Sequence, residues 1–289
     1  MKIKILIPIY NDWQSVFKLL ENINSEISGL EHEFSAIIVN DASTESRPEI
    51  NLNLDNLNSI KIINMKENRG HARCNAAGLK HIFENEEFDY VIPMDGDGED
   101  RPEEIKQLID NLNYHPDKPI VGERIKRSEG IFFKFCYFAH KIITSTFTGQ
   151  SIKYGNYTCL PKSIVEKMIN EKATWSSFSG ALAKIIKDRA IIPSERGTRY
   201  FGPSKMSFKN LIIHSLSIIS VFRTNVLIRS ILFLLVYIFL IHQNITAIML
   251  IPAILVLTLI ASVFVVSKRE NLEELNESLL NISNIDNLK

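Results

Sequence analysis

The stretch YVIPMDGDGEDRPEEI, Tyr90 to Ile105, decides the reading of the chain. A short apolar run, Tyr90 to Met94, ends abruptly in Asp95, Asp97, Glu99 and Asp100. Pro102, Glu103 and Glu104 then mark a helix start, with proline in the first turn and acids at the positive end of the dipole. A buried strand, an acidic turn and a helix in that order form one unit of an alternating α/β chain. Two carboxylates about 4 Å apart repel by roughly 4 kcal/mol at an effective dielectric near 20. The cluster therefore predicts positive charge facing it.

Outward from this unit the alternation holds from Lys2 to about Val121. The predicted strands are Ile3–Ile9, Phe34–Asn40, Ile60–Met65, Tyr90–Met94 and Pro119–Val121, and the segments between them carry helical spacing. This pattern predicts an α/β domain with a mostly parallel sheet, whose ligands bind beyond the carboxyl ends of the strands. Polar groups gather there: YND after the first strand, NDAST after the second, DGDGED after the fourth.

The chain has 289 residues, with 33 Lys and Arg against 33 Asp and Glu, so net charge points to no nucleic acid partner. Cys74, Cys136 and Cys159 lack metal-type spacing and read as reduced thiols of a cytosolic compartment. The apolar run in MKIKILIPIYND is too short for a signal peptide. Farther on, Ile245 to Val266 is nearly all apolar and uncharged, long enough to cross a bilayer core of about 30 Å. Ser230 to Ile241 is shorter, and spans if its flanks join in and Arg229 snorkels to the interface. A membrane hairpin turning at His242 to Asn244 is favoured over a buried core helix. Arg223 and Arg229 at one end and Lys268 and Arg269 at the other place both ends in the cytoplasm. Pro252 is expected to kink the second span. Upstream, Phe208 to Phe222 suits either an interfacial helix or a core helix. The last residues read as a short amphipathic helix.

Three readings compete for the acids. A calcium loop fails, because Asp100 stands where glycine is required and Lys106 where glutamate is required. A solvated acidic turn suits the run taken alone. A divalent metal site holding phosphates suits hard oxygen donors, and Mg²⁺ or Mn²⁺ commonly takes one or two carboxylates plus phosphate oxygens. No phosphate-cradling glycine loop follows the first strand, yet successive strand ends carry acids or amides, and context favours the third reading.

Here ILIPIYND, AIIVNDAST, NRGHARCNAAGL and VIPMDGDGEDRPEEI together resemble the family 2 glycosyltransferases of the GT-A fold, over about the first 130 residues. The resemblance implies that Pro8, Tyr10, Asn11 and Asp41 seat the nucleotide of a nucleotide-sugar donor, UDP more readily than GDP. Where the family usually has Asp-Asp at the second strand end, this chain has Asn40 and Asp41. Asp95 and Asp97 match the family Asp-x-Asp, with the second aspartate ligating the metal and Glu99 as a further oxygen ligand. In GHARCNAAGL, Gly70 opens a helix with Arg73 in its first turn; the segment lies near the nucleotide or packs helix on sheet.

The second half bears on the acceptor. VGERIKR resembles the arginine loop of polyprenyl-phosphate glycosyltransferases, with Arg124 the better match and Arg127 the weaker. SERGTRYFGPSKMSFKNL resembles a phosphate-facing segment of membrane-anchored bacterial relatives, and its matching positions are Arg196, Arg199, Ser204 and Lys205. Attack by a sugar hydroxyl needs a general base, and ATWSSFSGALAK, Ala173 to Lys184, offers no carboxylate, although Asp188 is near in sequence. A lipid phosphate needs none. The expectation is therefore a GT-A domain (1–205), a juxtamembrane segment (206–226), two transmembrane helices (227–267) and a cytoplasmic tail (268–289). It would act at the cytoplasmic face of the plasma membrane, with Asp97, Arg124, Arg199 and Lys205 carrying the chemistry on a polyprenyl phosphate. Transfer to a hydroxyl of a lipid-linked glycan, or a silent nucleotide-sugar-binding membrane partner, are the alternatives. A homo-oligomer is compatible with the sequence.

Overall fold

The computed structural model describes residues 1–49, 53–126, 138, 141–203 and 207–289. In chain order the elements are β1 (Lys2–Ile9), α1 (Trp13–Glu26), β2 (Glu33–Asn40), β3 (Leu57–Met65), α2 (His71–Asn85), β4 (Tyr90–Pro93), α3 (Ile105–Leu112), β5 (Ile120–Lys126), β6 (Thr158–Pro161), α4 (Lys162–Ile169), α5 (Phe178–Ile185) and β7 (Ala190–Glu195). There follow α6 (Phe208–Ser220), α7 (Arg223–Ile241), α8 (Ile251–Ser267), α9 (Leu272–Asn276) and β8 (Ile282–Asn287).

Among the described residues the strands form one mixed sheet in the order β7-β5-β6-β4-β1-β2-β3-β8. The β4-β1-β2-β3 centre is parallel, while β6 and β8 run antiparallel to their neighbours. β1 is buried from Ile3 to Ile9, the near-continuous apolar run expected of a strand covered on both faces. On one face Ile3, Ile5 and Ile7 meet Leu19, Leu20 and Ile23 of α1. On the other, Leu6 and Val39 meet Ala77 and Leu79 of α2. A Cβ at Gly78 would stand 2.4 Å from Leu6 Cδ1, so glycine allows α2 to lie close on the sheet. The parallel register brings the carboxyl ends of β1, β2 and β4 together at one edge, and β7 and β5 end at that edge too.

After β7 the chain becomes apolar. The stretches Arg223–Ile241 and Ile248–Asn276 are long and apolar enough to cross a membrane. Their side chains Leu235, Phe239, Ile254 and Leu255 are exposed. Pro252 lies in the first turn of α8, after a 3-10 turn at Ile248–Leu250, where a missing N–H leaves no bond unmade; the expected mid-helix kink is corrected to a helix start. Ile219 of α6, Val226 of α7 and Val263 of α8 share a small core, while Phe208 and Ile212 of α6 remain exposed. Arg229 donates to the Thr146 carbonyl at 3.0 Å, and Asn225 to the Thr148 carbonyl at 3.1 Å. Together they dock α7 on the π-helical turn Thr144–Thr148.

The tail departs most from expectation. Only Leu272–Asn276 is α-helical, and the chain ends as β8, paired antiparallel with β3 through Lys61↔Asn287 and Ile63↔Ile285. The sheet therefore takes its last strand from the segment 268–289 that lies beyond the apolar hairpin.

Candidate active site

The acidic loop begins where β4 ends. Gly96 lies so close to β1 that a Cβ there would stand 2.8 Å from Ile9 Cγ2. Gly98 has φ +87° and passes under the Tyr200 ring. These two glycines let the loop turn back over the sheet edge and bring four carboxylates together. Asp100, 5% exposed, accepts from the Asp95 backbone N–H at 2.9 Å. Asp97 accepts from the Glu99 N–H at 3.0 Å.

The positive charge that the cluster demands is present, and it comes from far along the chain. Arg199 joins Asp97 Oδ2 at 2.8 Å to the Asp12 carboxylate, and its Nε donates to the Phe201 carbonyl at 3.0 Å. Arg196 pairs with Glu99. The segment carrying both arginines follows β7 and lies along the loop: Gly197 N–H donates to the Glu99 carbonyl at 2.8 Å, and Tyr200 N–H to the Asp97 carbonyl at 2.9 Å. Arg124, at the end of β5, stands 3.8 Å from Asp100. His71, opening α2, lies 3.2 Å from Asp95 Oδ1, and Asn156 donates to that oxygen at 3.2 Å.

Each carboxyl responds to this surrounding differently. Burial pushes Asp97 up to about 6, helped by the charge of Asp95 and opposed by Arg199. Burial and Asp95 push Asp100 up to about 7 against the pull of Arg124. Burial would also raise Asp95, but His71, Arg124 and Asn156 hold it well below the usual carboxylate range. Burial lowers His71, yet Asp95, Asp100 and Asp97 outweigh it and raise the ring above its ordinary value. One low and two raised carboxyls in a shared site behave as a coupled set, with Asp95 as the charge the others accommodate.

Beside this charged half, the ends of β1 and β2 form a half built of amides. Asn11, at φ +50°, receives the Thr44 and Glu45 N–H groups on Oδ1 at 2.8 and 3.0 Å and donates to Thr44 Oγ1 at 2.9 Å. Its own N–H donates to Ser43 Oγ at 2.8 Å. Asp41, 4% exposed, accepts from the N–H groups of Arg69 and Gly70 at 2.9 and 2.8 Å. Burial raises its carboxyl, and those two N–H groups limit the rise. Pro8 pairs with Val39 inside the sheet, and Tyr10 is exposed at the edge.

The structure thus brings Asp95, Asp97, Glu99, Arg124 and Arg199 together, with Pro8, Tyr10, Asn11 and Asp41 at the adjoining strand ends. Arg73 goes elsewhere: its guanidinium lies 5.4 Å from the centre of the Trp175 ring and 3.5 Å from Glu274 of α9. Lys205, with Ser204 and Arg127, lies outside the described residues. Asp12, His71, Asn156 and Tyr200 belong to the site and were not singled out from the sequence. Asp12 completes YND, His71 stands in GHARC, Asn156 in YGNYTCLPKSIV and Tyr200 in SERGTRYFGPSK, so each lies in a family-like stretch, yet nothing local marks it out within that stretch. Asp188 precedes β7 and pairs with Lys118 at 2.6 Å, on the opposite edge of the sheet from the acidic loop.

A metal would find two hard oxygen donors in Asp95 and Asp97. Among the described residues no group of three or more His, Cys, Asp or Glu stands ready to hold an ion. Two carboxylates completed by phosphate oxygens are a donor set that Mg²⁺ and Mn²⁺ accept, so the residues fit such an ion bound together with a diphosphate.

A mostly parallel sheet with a carboxylate loop, arginines and amide-held loops at its carboxyl edge is the architecture of a GT-A-type domain. The family model described as Glycosyl transferase family 2 matches residues 4–164, more than half of the chain, and the protein belongs to that family. Among solved structures, the chain is similar to Mycobacterium tuberculosis glucosyl-3-phosphoglycerate synthase in complex with Mn²⁺, UDP and glucosyl-3-phosphoglycerate. That match has 12% identity and TM-score 0.54 and covers 78% of this chain and 79% of that one. It is also similar to Staphylococcus aureus TarS 1-349 in complex with UDP-GlcNAc, at 14% identity and TM-score 0.50, covering 80% of this chain and 70% of that one.

Proposed function

We propose that this glycosyltransferase is membrane-anchored and metal-dependent, and moves a sugar with inversion from a UDP-sugar to polyprenyl phosphate at the cytoplasmic face of the plasma membrane. The observation that carries the reading is the stretch Thr144 to Asn156, which holds the first apolar helix at one end and reaches the acidic loop at the other. α7 holds the turn Thr144–Thr148 through Asn225 and Arg229. A few residues on, a Cβ at Gly155 would meet Arg124 Nη2 at 3.1 Å, and Asn156 reaches Asp95. A phosphate at the end of a lipid chain running beside α7 would approach the arginines and carboxylates of one site. The return of the tail to β3 supports an even number of crossings, with the GT-A domain (1–205) and the tail (268–289) on one side of the membrane, joined through 206–226 and the spans of 227–267.

UDP accompanies both structures named above, and Mn²⁺ one of them. In this reading Asp41, with Pro8, Tyr10 and Asn11, seats the nucleoside. Asp95 and Asp97, with Glu99 close by, hold Mg²⁺ or Mn²⁺, which when bound neutralises charge on the diphosphate as it leaves. An oxygen of the lipid phosphate attacks the anomeric carbon from the far face. The C1–O bond to the diphosphate breaks, and its electron pair leaves with the nucleoside diphosphate. The attacking phosphate is already anionic, so no base is called for, in keeping with the position of Asp188 on the far edge. Arg124 and Arg199, with Lys205, orient phosphates, a task for which planar guanidinium groups are suited.

The test is nucleotide release by the detergent-purified protein, offered UDP- and GDP-sugars with Mn²⁺ or Mg²⁺, with and without undecaprenyl phosphate. Release that needs the lipid phosphate, stops on adding a chelator and vanishes in Asp97→Ala is the expected result. Release only with a glycan-bearing lipid would overturn the acceptor. Bound nucleotide sugar without turnover across the panel would overturn catalysis in favour of a sensor.

A further inference from the structure

We infer that Asp286, on the strand that follows the apolar hairpin, is a positioning residue for the donor nucleoside and acts through Asn64 and Asn40. The inference rests on the reading above that the ends of β1 and β2 seat that nucleoside. A row of side-chain hydrogen bonds crosses three strands to reach them. Asn64 donates to Asp286 Oδ2 at 3.1 Å, and Asn40 donates to Asn64 Oδ1 at 2.9 Å. Asn40 Oδ1 accepts the Ser43 N–H at 3.0 Å, and Ser43 Oγ accepts the Asn11 N–H at 2.8 Å. Arg47, farther along the same loop, also donates to Asp286, at 3.0 Å.

Each link has a directional reason. Asn40 and Asn64 are cross-strand partners in β2 and β3, and Asn40 is buried. An amide both donates and accepts, whereas an ionised carboxylate only accepts. Aspartate at position 40 would therefore have nothing to donate to Asn64 Oδ1, which explains why this chain departs from Asp-Asp at the end of β2. The far end of the row matters because Asn11 and Ala42 both hold positive φ, +50° and +54°. Few non-glycine residues adopt that backbone, so the loop needs an outside constraint to hold it. The bond from Asn11 N–H to Ser43 supplies one, and Asp286 anchors the row from the outer strand β8. The Arg47 pair is about one third exposed on both sides and contributes little alone; the amides of buried Asn40 and half-buried Asn64 carry the effect. The donor pocket is thereby tied to the chain that has just left the apolar hairpin.

Binding of UDP and of GDP to the full chain in detergent, by calorimetry, tests this with Asp286→Ala and Asn40→Asp. Expected is nucleotide binding weaker by about five- to tenfold in both, the loss of one or two hydrogen bonds. In Asp286→Ala the donor KM should rise in parallel, with kcat within about twofold and the melting temperature almost unmoved, while Asn40→Asp, which buries a charge, should also melt lower. Asp286→Asn keeps an acceptor and should recover most of the affinity. Unchanged binding in both variants overturns the inference, as does a fall in kcat that tracks a lower melting temperature, since Asp286 would then merely hold the tail. A wild-type chain that binds neither nucleotide overturns the functional reading and this inference with it.

Discussion

The two halves of the site solve the same problem, holding loops at the end of a sheet, by opposite means. The β4 half is built of charge: Asp95, Asp97, Glu99 and Asp100 are balanced by His71, Arg124, Arg196 and Arg199. The β1–β2 half is built of neutral amides and backbone N–H groups around Asn11, Asn40 and Asp41. Ion pairs gain much of their energy from charge alone and tolerate an exchange of partner, so a metal or a phosphate can replace an internal counterion. Amide bonds are directional, and once a buried one is broken its groups stay unsatisfied. The charged half is therefore suited to trading partners during a reaction, and the amide half to keeping one shape throughout.

Arg199→Ala should break the charged half with the largest effect, because it bridges Asp12 and Asp97 and is only 13% exposed. Loss of a group that stabilises developing charge costs about 10²–10³ in rate, and a fall of that order in kcat/KM is expected for transfer to the lipid phosphate. The same change removes the counterion from Asp97, so Mn²⁺ should bind the donor-free protein more tightly, as calorimetry or electron paramagnetic resonance would read. Weaker or equal Mn²⁺ binding would show that the arginine does not compete with the ion.

Asn11→Ala should act on the other half and leave metal affinity alone. It deletes the acceptor of two backbone N–H groups and leaves alanine in a left-handed conformation. Nucleotide binding should weaken by about tenfold, with a melting temperature lower by a few degrees. A matching drop in Mn²⁺ affinity would mean that the halves are one mechanical unit and the comparison fails.

The sequence made the charged half legible and the amide half only partly so. Acids after an apolar run are a local pattern, and all five strands expected before residue 127 are present because each is a short apolar run between turns. The partners of those acids are not local. Arg199 meets Asp97 and Asp12 only because β7 runs parallel to β5 and delivers its last residues to the same edge. β8 was missed because ISNIDN has two apolar side chains and no strand signal of its own; it is a strand because β3 offers an unpaired edge. The sequence leaves Arg73, in the first turn of α2, either near the nucleotide or on a helix packed against the sheet. Arg73 turns to Trp175, whose indole N–H donates to Glu274 of the tail at 2.6 Å, a contact across 99 positions that no local pattern announces.

The smallest effect separates the halves by pH. Asp100 in the folded chain stands at about 7 against an ordinary 3.8, because burial and Asp95 favour its protonated form. Between about pH 4 and about pH 7 the folded state therefore holds a proton that the unfolded state has released. Stability from this group is greatest at low pH, falls as pH rises through that window and levels off above it. Asparagine at position 100 has no proton to lose, so Asp100→Asn should flatten the decline and melt higher than wild type at pH 8 by up to about a few degrees. Asp97, at about 6, retains part of the slope in both proteins. Melting curves in chelator-containing buffer between pH 4 and pH 8 would show the wild-type and Asp100→Asn lines converging at the acid end. Asn11→Ala, on the amide side, removes no titrating group and should run below wild type and parallel to it. Parallel lines for Asp100→Asn as well would mean that its carboxyl is not held protonated, and the contrast between the two halves would be lost.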